Sequence, residues 1–262
     1  MEQKEPKISV VIPAYNAEEF IRQTIQSVID QTLPEGIEIV VVDDCSKDRT
    51  GDIVNELLHE MEHKDDVKGT RMLRYFRNEK NEGVAKTRNC GVQNAKGEYI
   101  AFLDGDDFWD PSKLEKQMNL LSEDQSAAFC YTGRELIDRD GNSMNTVIPA
   151  PEKVSYQDML RTNYVTCSSV LMKKEVAAEY PMDHDEYCED YICWMRILKA
   201  GKKAVGVNEP LVKYRMVKGS KSNNKKKAAS DHYHSLRVLG YDPVRALFLM
   251  ISYAYNGIKK YS

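Results

Sequence analysis

The chain has no apolar stretch approaching 18 residues, so its sequence offers no segment that should span a membrane. The Met1–Lys7 start is charged and has no apolar core, so no signal peptide is expected. Its six cysteines, Cys45, Cys90, Cys130, Cys167, Cys188 and Cys193, include no C-x-x-C and no paired spacing that suggests zinc. Together these absences point to reduced thiols in a cytoplasmic protein. There is no basic excess either: the net charge is −4 and the pI about 5.8, which gives no sign of nucleic-acid binding. No glycine-rich loop follows the first apolar run. Pro13-Ala14-Tyr15-Asn16 lacks the G-x-G-x-x-G of a Rossmann dehydrogenase, and it lacks the glycine and lysine that a nucleotidyltransferase phosphate loop uses. The chain shows no internal repeat and no low-complexity linker.

What is present is enough to build with. The 262 residues are 42% hydrophobic and 30% charged, as expected of a globular chain with a sizeable core. Strand and helix patterns alternate along the first 132 residues. Apolar runs at 8–12, 37–42, 72–76, 99–103 and 127–131 read as strands, and 18–31, 46–58, 83–95 and 114–121 read as helices. Apolar character on both strand faces predicts a mostly parallel, Rossmann-like α/β sheet flanked by helices. Ligands of such sheets bind beyond the strands' C-terminal ends, where Pro13 to Asn16, Asp43-Asp44 and Asp104 to Asp107 cluster. Further on, Asp140-Gly141-Asn142 predicts a hairpin turn, 167–172 a strand, 190–200 a helix, 203–207 and 211–214 two short strands, and 231–239 and 244–258 helices.

The densest chemistry lies at Tyr99-Ile-Ala-Phe-Leu-Asp-Gly-Asp-Asp107. Three carboxylates at the end of a buried strand repel one another, and a hard divalent cation on oxygen ligands would relieve them. Gly105 lets the turn bend and a ligand approach the backbone. The bland alternative is a solvated acidic loop in which Asp107 caps the helix starting near Pro111. Glu189-Asp190 forms a second acidic pair at a helix start, where free amides favour carboxylates; Asp190 is equally a plausible N-cap.

Five segments carry a resemblance. They are Ile8 to Asn16, Glu38 to Thr50, Asn81 to Asn89, Gly97 to Asp107 and Glu189-Asp190. Each is similar to a block of the family 2 glycosyltransferases, which have the GT-A fold, and they run in family order over residues 8 to about 215. The resemblance implies an inverting, metal-dependent glycosyltransferase that moves a sugar from a nucleotide-diphosphate sugar, a UDP-sugar first among them, to a hydroxyl of a glycan or lipid-linked acceptor. Asp106 would hold Mn²⁺ or Mg²⁺ against the leaving diphosphate, with Asp104 near the donor ribose or the metal. Pro13 and Tyr15 would wall the base, and Asp44 would accept a hydrogen bond from uracil. Arg88 would pair with the diphosphate or an aspartate, unless it is a plain helix-surface arginine. Asp190 would be the base, with Glu189 orienting it or contacting the acceptor. Tyr214-Arg215, followed by Ser220 and Ser222, is similar to a bacterial C-terminal segment in which an arginine reaches the donor phosphates; the alternative is a strand end facing solvent.

The implied organisation is a GT-A domain over 1–222, with a nucleotide-sugar half of about 1–132 and an acceptor half of about 133–222, and then a C-terminal helical extension over 223–262. The bacterial character of that segment points to cell-surface polysaccharide synthesis. No nucleic-acid partner is expected. The final helix, with Lys259 and Lys260, either packs on the enzyme's own core or makes peripheral contact with the inner face of the cell membrane; the Lys218, Lys221 and Lys225 to Lys227 cluster is either a solvated loop or part of that contact. A non-catalytic sugar-nucleotide-binding protein is disfavoured by the presence of both Asp106 and Asp190.

Overall fold

The computed structural model describes residues 5–62, 71–185, 187–217 and 225–260. The elements open as β1 (Ile8–Ala14), α1 (Ile21–Ile29), β2 (Ile37–Asp43), α2 (Thr50–Glu62), β3 (Arg71–Arg77), α3 (Val84–Asn94) and β4 (Tyr99–Phe102). Then come β5 (Phe108–Trp109), α4 (Lys113–Glu123), β6 (Ala127–Ile137), β7 (Ser143–Ile148), β8 (Lys153–Val154), α5 (Tyr156–Arg161), β9 (Leu171–Lys173), α6 (Lys174–Glu179), α7 (Glu189–Lys199), β10 (Lys203–Arg215), α8 (Lys225–Val238) and α9 (Pro243–Lys260).

All ten strands belong to one sheet, with the path β3-β2-β1-β4-β9-β6-β10-β5, β7 on β6 and β8 on β10. The β3-β2-β1-β4 half is parallel, and β6 runs parallel to β10; β9, β5, β7 and β8 pair antiparallel. β1 and β2 are buried at every position, which explains why their sequences are unbroken apolar runs. Alternation still decides the packing. Val11 faces the layer that holds α7, while Val10 and Ile12 face the layer that holds α1. α1 buries Ile21, Ile25 and Val28 along one stripe. On the other side Trp194 of α7 is fully buried between Phe102 (ring centroids 6.2 Å) and Phe129 (5.5 Å). Truncating such a residue to alanine costs about 3–5 kcal/mol.

The chain order reverses across the sheet between β1 and β4: β2 and β3 step to one side of β1, and β4 lies on the other. The expected polar clusters sit at that switch point, beyond the C-terminal ends of β1, β2 and β4.

The structure corrects several boundaries. The two strands expected at 203–207 and 211–214 are one 13-residue strand, β10. Asn208-Glu209-Pro210 reads as a break, yet it is absorbed by a register shift between Val207 and Val212 against β6. β6 continues past Tyr131 to Ile137, and Glu135, a cross-strand partner of Lys213, also pairs with it ionically. α8 begins six residues before Asp231, at Lys225. Lys218, Lys221, Ser220, Ser222 and Glu186 lie outside the described residues, as do the side chains of Lys225, Lys226, Lys259 and Lys260. Among the described residues no helix is long and apolar enough to cross a membrane.

Candidate active site

The acidic turn is built into the molecule from below. The Thr24 hydroxyl of α1 donates to the carbonyls of Gly105 (3.1 Å) and Asp107 (2.8 Å). Asp107 is buried and accepts from Ser168 Oγ (2.6 Å) and from the Arg215 amide (2.9 Å). Burial and its two acidic neighbours push its carboxyl well above the usual carboxylate range. Asp107 therefore does not cap α4. The N-cap residue of α4 is Ser112, without a side-chain cap, and Asp110 shapes the turn before it by accepting from the Ser112 amide and hydroxyl. Gly105 is required by packing rather than by ligand approach: a Cβ there would lie 3.1 Å from the Pro13 carbonyl of β1.

Asp104 and Asp106 flank that glycine with half-buried side chains. Asp104 Oδ1 accepts from Arg88 Nη2 at 2.6 Å. The Asp106 carboxyl is pushed up to about 6 by burial and by the charge of Asp104, with Arg215 and Arg88 pulling it back.

Arg88 is not on the surface. It is buried in α3, and its second terminal nitrogen donates to Glu189 Oε1 at 2.7 Å. One guanidinium thus ties the acidic turn to the start of α7. Cys188 occupies the N-cap position of that helix, with its amide on Ser235 Oγ. Asp190 is accordingly inside the first turn and not the N-cap itself; one of its oxygens accepts from the Tyr191 amide at 2.7 Å. Burial and the adjacent Glu189 push the Asp190 carboxyl up to about 7, against the pull of Arg88. A carboxyl in that range can both lose and hold a proton near neutral pH.

The remaining expected residues divide. Pro13, buried at the end of β1, and Tyr15, 49% exposed, line the same cavity as the carboxylates. Asp44 is not among the described residues of that lining. Its Oδ1 accepts from Asn78 Nδ2 and the Glu82 amide (both 2.8 Å), and its Oδ2 from the Gly83 amide (2.9 Å). It meets the N-terminal end of α3, where Asp185 also accepts from the Ala85 amide. Asp43 holds the turn after β2 by accepting from the Ser46 amide. Arg215 is buried and does not face solvent: its guanidinium donates to Asp106 O, Arg139 O and Gln23 Oε1, and it stacks 4.6 Å over Phe20. That is a strut under the acidic turn.

Sequence reasoning missed Ser168, Gln23 and Phe20. Ser168 lies in a single helical turn inside a segment without a readable motif, and nothing local marks it. Lys113 was also missed: it is fully buried on Gln117 Oε1 and the Trp109 ring, with its ammonium pushed down to about 7 by desolvation.

The cavity is about 840 Å³, large enough for a nucleotide sugar. Among the described residues no group of three or more His, Cys, Asp or Glu is arranged to hold a metal. Two half-buried carboxylates with an open side fit instead a Mg²⁺ or Mn²⁺ ion that keeps waters and phosphate oxygens as further ligands. Asp106 would be the better donor, because Asp104 already accepts from Arg88.

Comparison with known proteins gives the family and the fold. The family described as Glycosyl transferase family 2 matches residues 9–180. The chain is 37% identical over 260 residues to TuaG of Bacillus subtilis, which carries the name of a teichuronic acid biosynthesis glycosyltransferase; the match covers 97% of each chain. It is 32% identical over 254 residues to WfaP of Escherichia coli, named UDP-Glc:alpha-D-GlcNAc-diphosphoundecaprenol beta-1,3-glucosyltransferase, covering 97% of this chain and 95% of that one. The crystal structure of S. aureus TarS 1-349 with UDP-GlcNAc superposes with a TM-score of 0.69 at 18% identity, covering 95% of this chain and 71% of that one. The mannosyltransferase PcManGT of Pyrobaculum calidifontis, with GDP-Man and Mn²⁺, gives 0.69 at 17%, covering 97% and 70%. The fold is GT-A.

Proposed function

Because this chain belongs to glycosyl transferase family 2 and is a glycosyltransferase, we propose that it moves a sugar, with inversion, from a UDP-sugar to a hydroxyl of a lipid-linked glycan in cell-surface polysaccharide synthesis. The observation that carries the reading is the Asp104–Arg88–Glu189 bridge, which ties the acidic turn to the start of the helix that carries Asp190, both of them lining one cavity. The names of the relatives support the donor and acceptor classes: one names UDP-Glc and a diphosphoundecaprenol acceptor, another teichuronic acid.

The chemistry follows from the two acidic groups. Asp190, as carboxylate, takes the proton of the acceptor hydroxyl as its oxygen bonds to the anomeric carbon. The bond from that carbon to the diphosphate oxygen breaks on the opposite side, and its electron pair leaves with the nucleoside diphosphate. One displacement inverts the centre. Asp106, assisted by Asp104, would hold a divalent cation, which would supply charge neutralisation for the diphosphate. Arg215 fixes the Asp106 backbone, adds positive potential from beneath and so aids the diphosphate electrostatically. Pro13 and Tyr15 wall the base. Asp44 has one hydrogen bond on Oδ2 and so retains capacity to accept from a uracil ring. Residues 1–132 serve the donor and 133–222 the acceptor.

The test is a thermal-shift panel of nucleotide sugars with Mn²⁺, followed by transfer to a GlcNAc-diphospholipid acceptor. UDP-sugars should stabilise the protein and release UDP on transfer. If no nucleotide sugar stabilises it, or Asp190→Asn transfers like the wild type, the reading is wrong.

A further inference from the structure

We propose that the outer face of α9 is a docking surface for an anionic lipid bilayer. The helix has two unlike faces. One packs on the protein: Ala246 is buried, Leu249 and Met250 lie against the core, and Tyr253 stacks 3.8 Å from His232 of α8. The chain entering α9 is fixed by the Tyr156–Tyr241 hydroxyl pair at 3.0 Å. The other face carries Val244, Leu247, Phe248 and Ile251, at 64%, 59%, 68% and 62% exposure. Their spacing of three, one and three residues puts them on a single stripe along the helix. Four large apolar side chains held out in a row by an anchored helix form a surface that lacks its partner.

Charge selects the partner. Residues 218–262 contain nine Lys and Arg against two Asp and no Glu, a net +7. The whole chain is −4, so the preceding residues carry −11. A second copy carries the same net positive C-terminal sequence and is the less favoured occupant on charge. An anionic leaflet attracts the net positive C-terminal sequence. No helix among the described residues qualifies to cross a bilayer, so α9 lies on the surface with its stripe in the headgroup boundary. The placement suits the proposed lipid-linked acceptor, on which this inference rests for its purpose but not for its evidence. α8 contributes Ala228 and Asp231 to the cavity wall and packs against α9, so the docked face lies one helix away from the cavity.

The experiment is flotation of the full chain with vesicles of phosphatidylcholine alone or mixed with phosphatidylglycerol, at low and high salt. The chain should float with the phosphatidylglycerol vesicles at low salt and be released at high salt. Leu247→Glu combined with Phe248→Glu should weaken flotation by about tenfold or more, while the melting temperature and the UDP–Mn²⁺ thermal shift stay as in the wild type. That retained shift separates failure of the docking surface from failure of the glycosyltransferase reading. Absence of flotation, equal flotation of the double variant, or a wild-type dimer in solution that the double variant abolishes would each overturn the proposal, the last by making a second copy the occupant.

Discussion

Replacing Arg88 by methionine tests the joint on which the site is built. Methionine fills much of the same apolar space and removes only the guanidinium. Glu189 then loses a 2.7 Å partner and Asp104 a 2.6 Å partner, in a wall that also holds Asp106 and Asp190. Removing one side of a buried ion pair costs about 3–5 kcal/mol, because the remaining charge stays desolvated. For a chain of 262 residues each kcal/mol lowers the melting temperature by about 2–4 °C, so a fall of about 10 °C is expected in a calorimetric scan. Adding Glu189→Gln removes one of the stranded charges, and the double variant should recover part of that loss rather than add to it. The second readout is kinetic. Arg88 holds the Asp190 carboxyl down, so in the methionine variant that carboxyl rises further above its value of about 7. A base must be deprotonated to act, hence the acidic limb of the pH–rate profile should move to higher pH. A melting temperature within about 1 °C of wild type, or strictly additive single variants, would refute the bridge as an energetic unit.

Asp190→Asn should keep its UDP–Mn²⁺ thermal shift and lose about 10²–10⁴-fold in kcat, the range for removing a general base; full turnover would remove Asp190 from the mechanism. UDP with Mn²⁺ at about 100 times its Kd should stabilise the fold by about 2.7 kcal/mol, and EDTA or Asp106→Asn should abolish most of that gain. His232 is buried between the rings of Tyr191 and Tyr253, and burial pushes its imidazole down to about 4 from an ordinary 6.5. The unfolded chain therefore takes up a proton that the folded chain refuses. Stability is full above pH 6.5 and falls as the pH drops toward 4, by about 2 kcal/mol at pH 5 from this group alone. His232→Phe should flatten that part of the stability profile measured by urea denaturation, and an unchanged slope would contradict it.

The donor half was legible because its signals are local. β1 and β2 are buried on both faces, so their composition alone declares them, and β4 ends in charge where the sheet ends. The second half was read less well because tertiary contacts override local pattern there. Polar Thr132 to Glu135 looked like the end of a strand, but Glu135 is carried on by its partner Lys213 across the ladder. Pro210 looked like a terminator, yet it sits in the register shift between Val207 and Val212, where β10 has no partner on β6 to lose. α5 and α6 are six residues each, too short for a helical period to emerge.

The site shows the same division in sharper form. Crowded carboxylates at 104–107 announce that a positive partner is needed, because repulsion between neighbours in sequence is a local fact. Which cation answers is not local. Arg88 is 16 residues from Asp104 and 101 from Glu189, on a helix whose exposed and buried residues give no strong apolar stripe. Its own local pattern is that of one more arginine on a polar helix, and only the family resemblance offered an aspartate as its partner. Seen in the fold, it is buried because α3 lies between β1 and the segment that ends at α7, with Asn89 exchanging hydrogen bonds with the Met182 backbone beside it. The counter-charge of the acidic turn is therefore divided: a resident guanidinium on Asp104, and on Asp106 an open demand. Only the second can be met by an ion that arrives with the substrate, so metal affinity should follow Asp106 far more closely than Asp104.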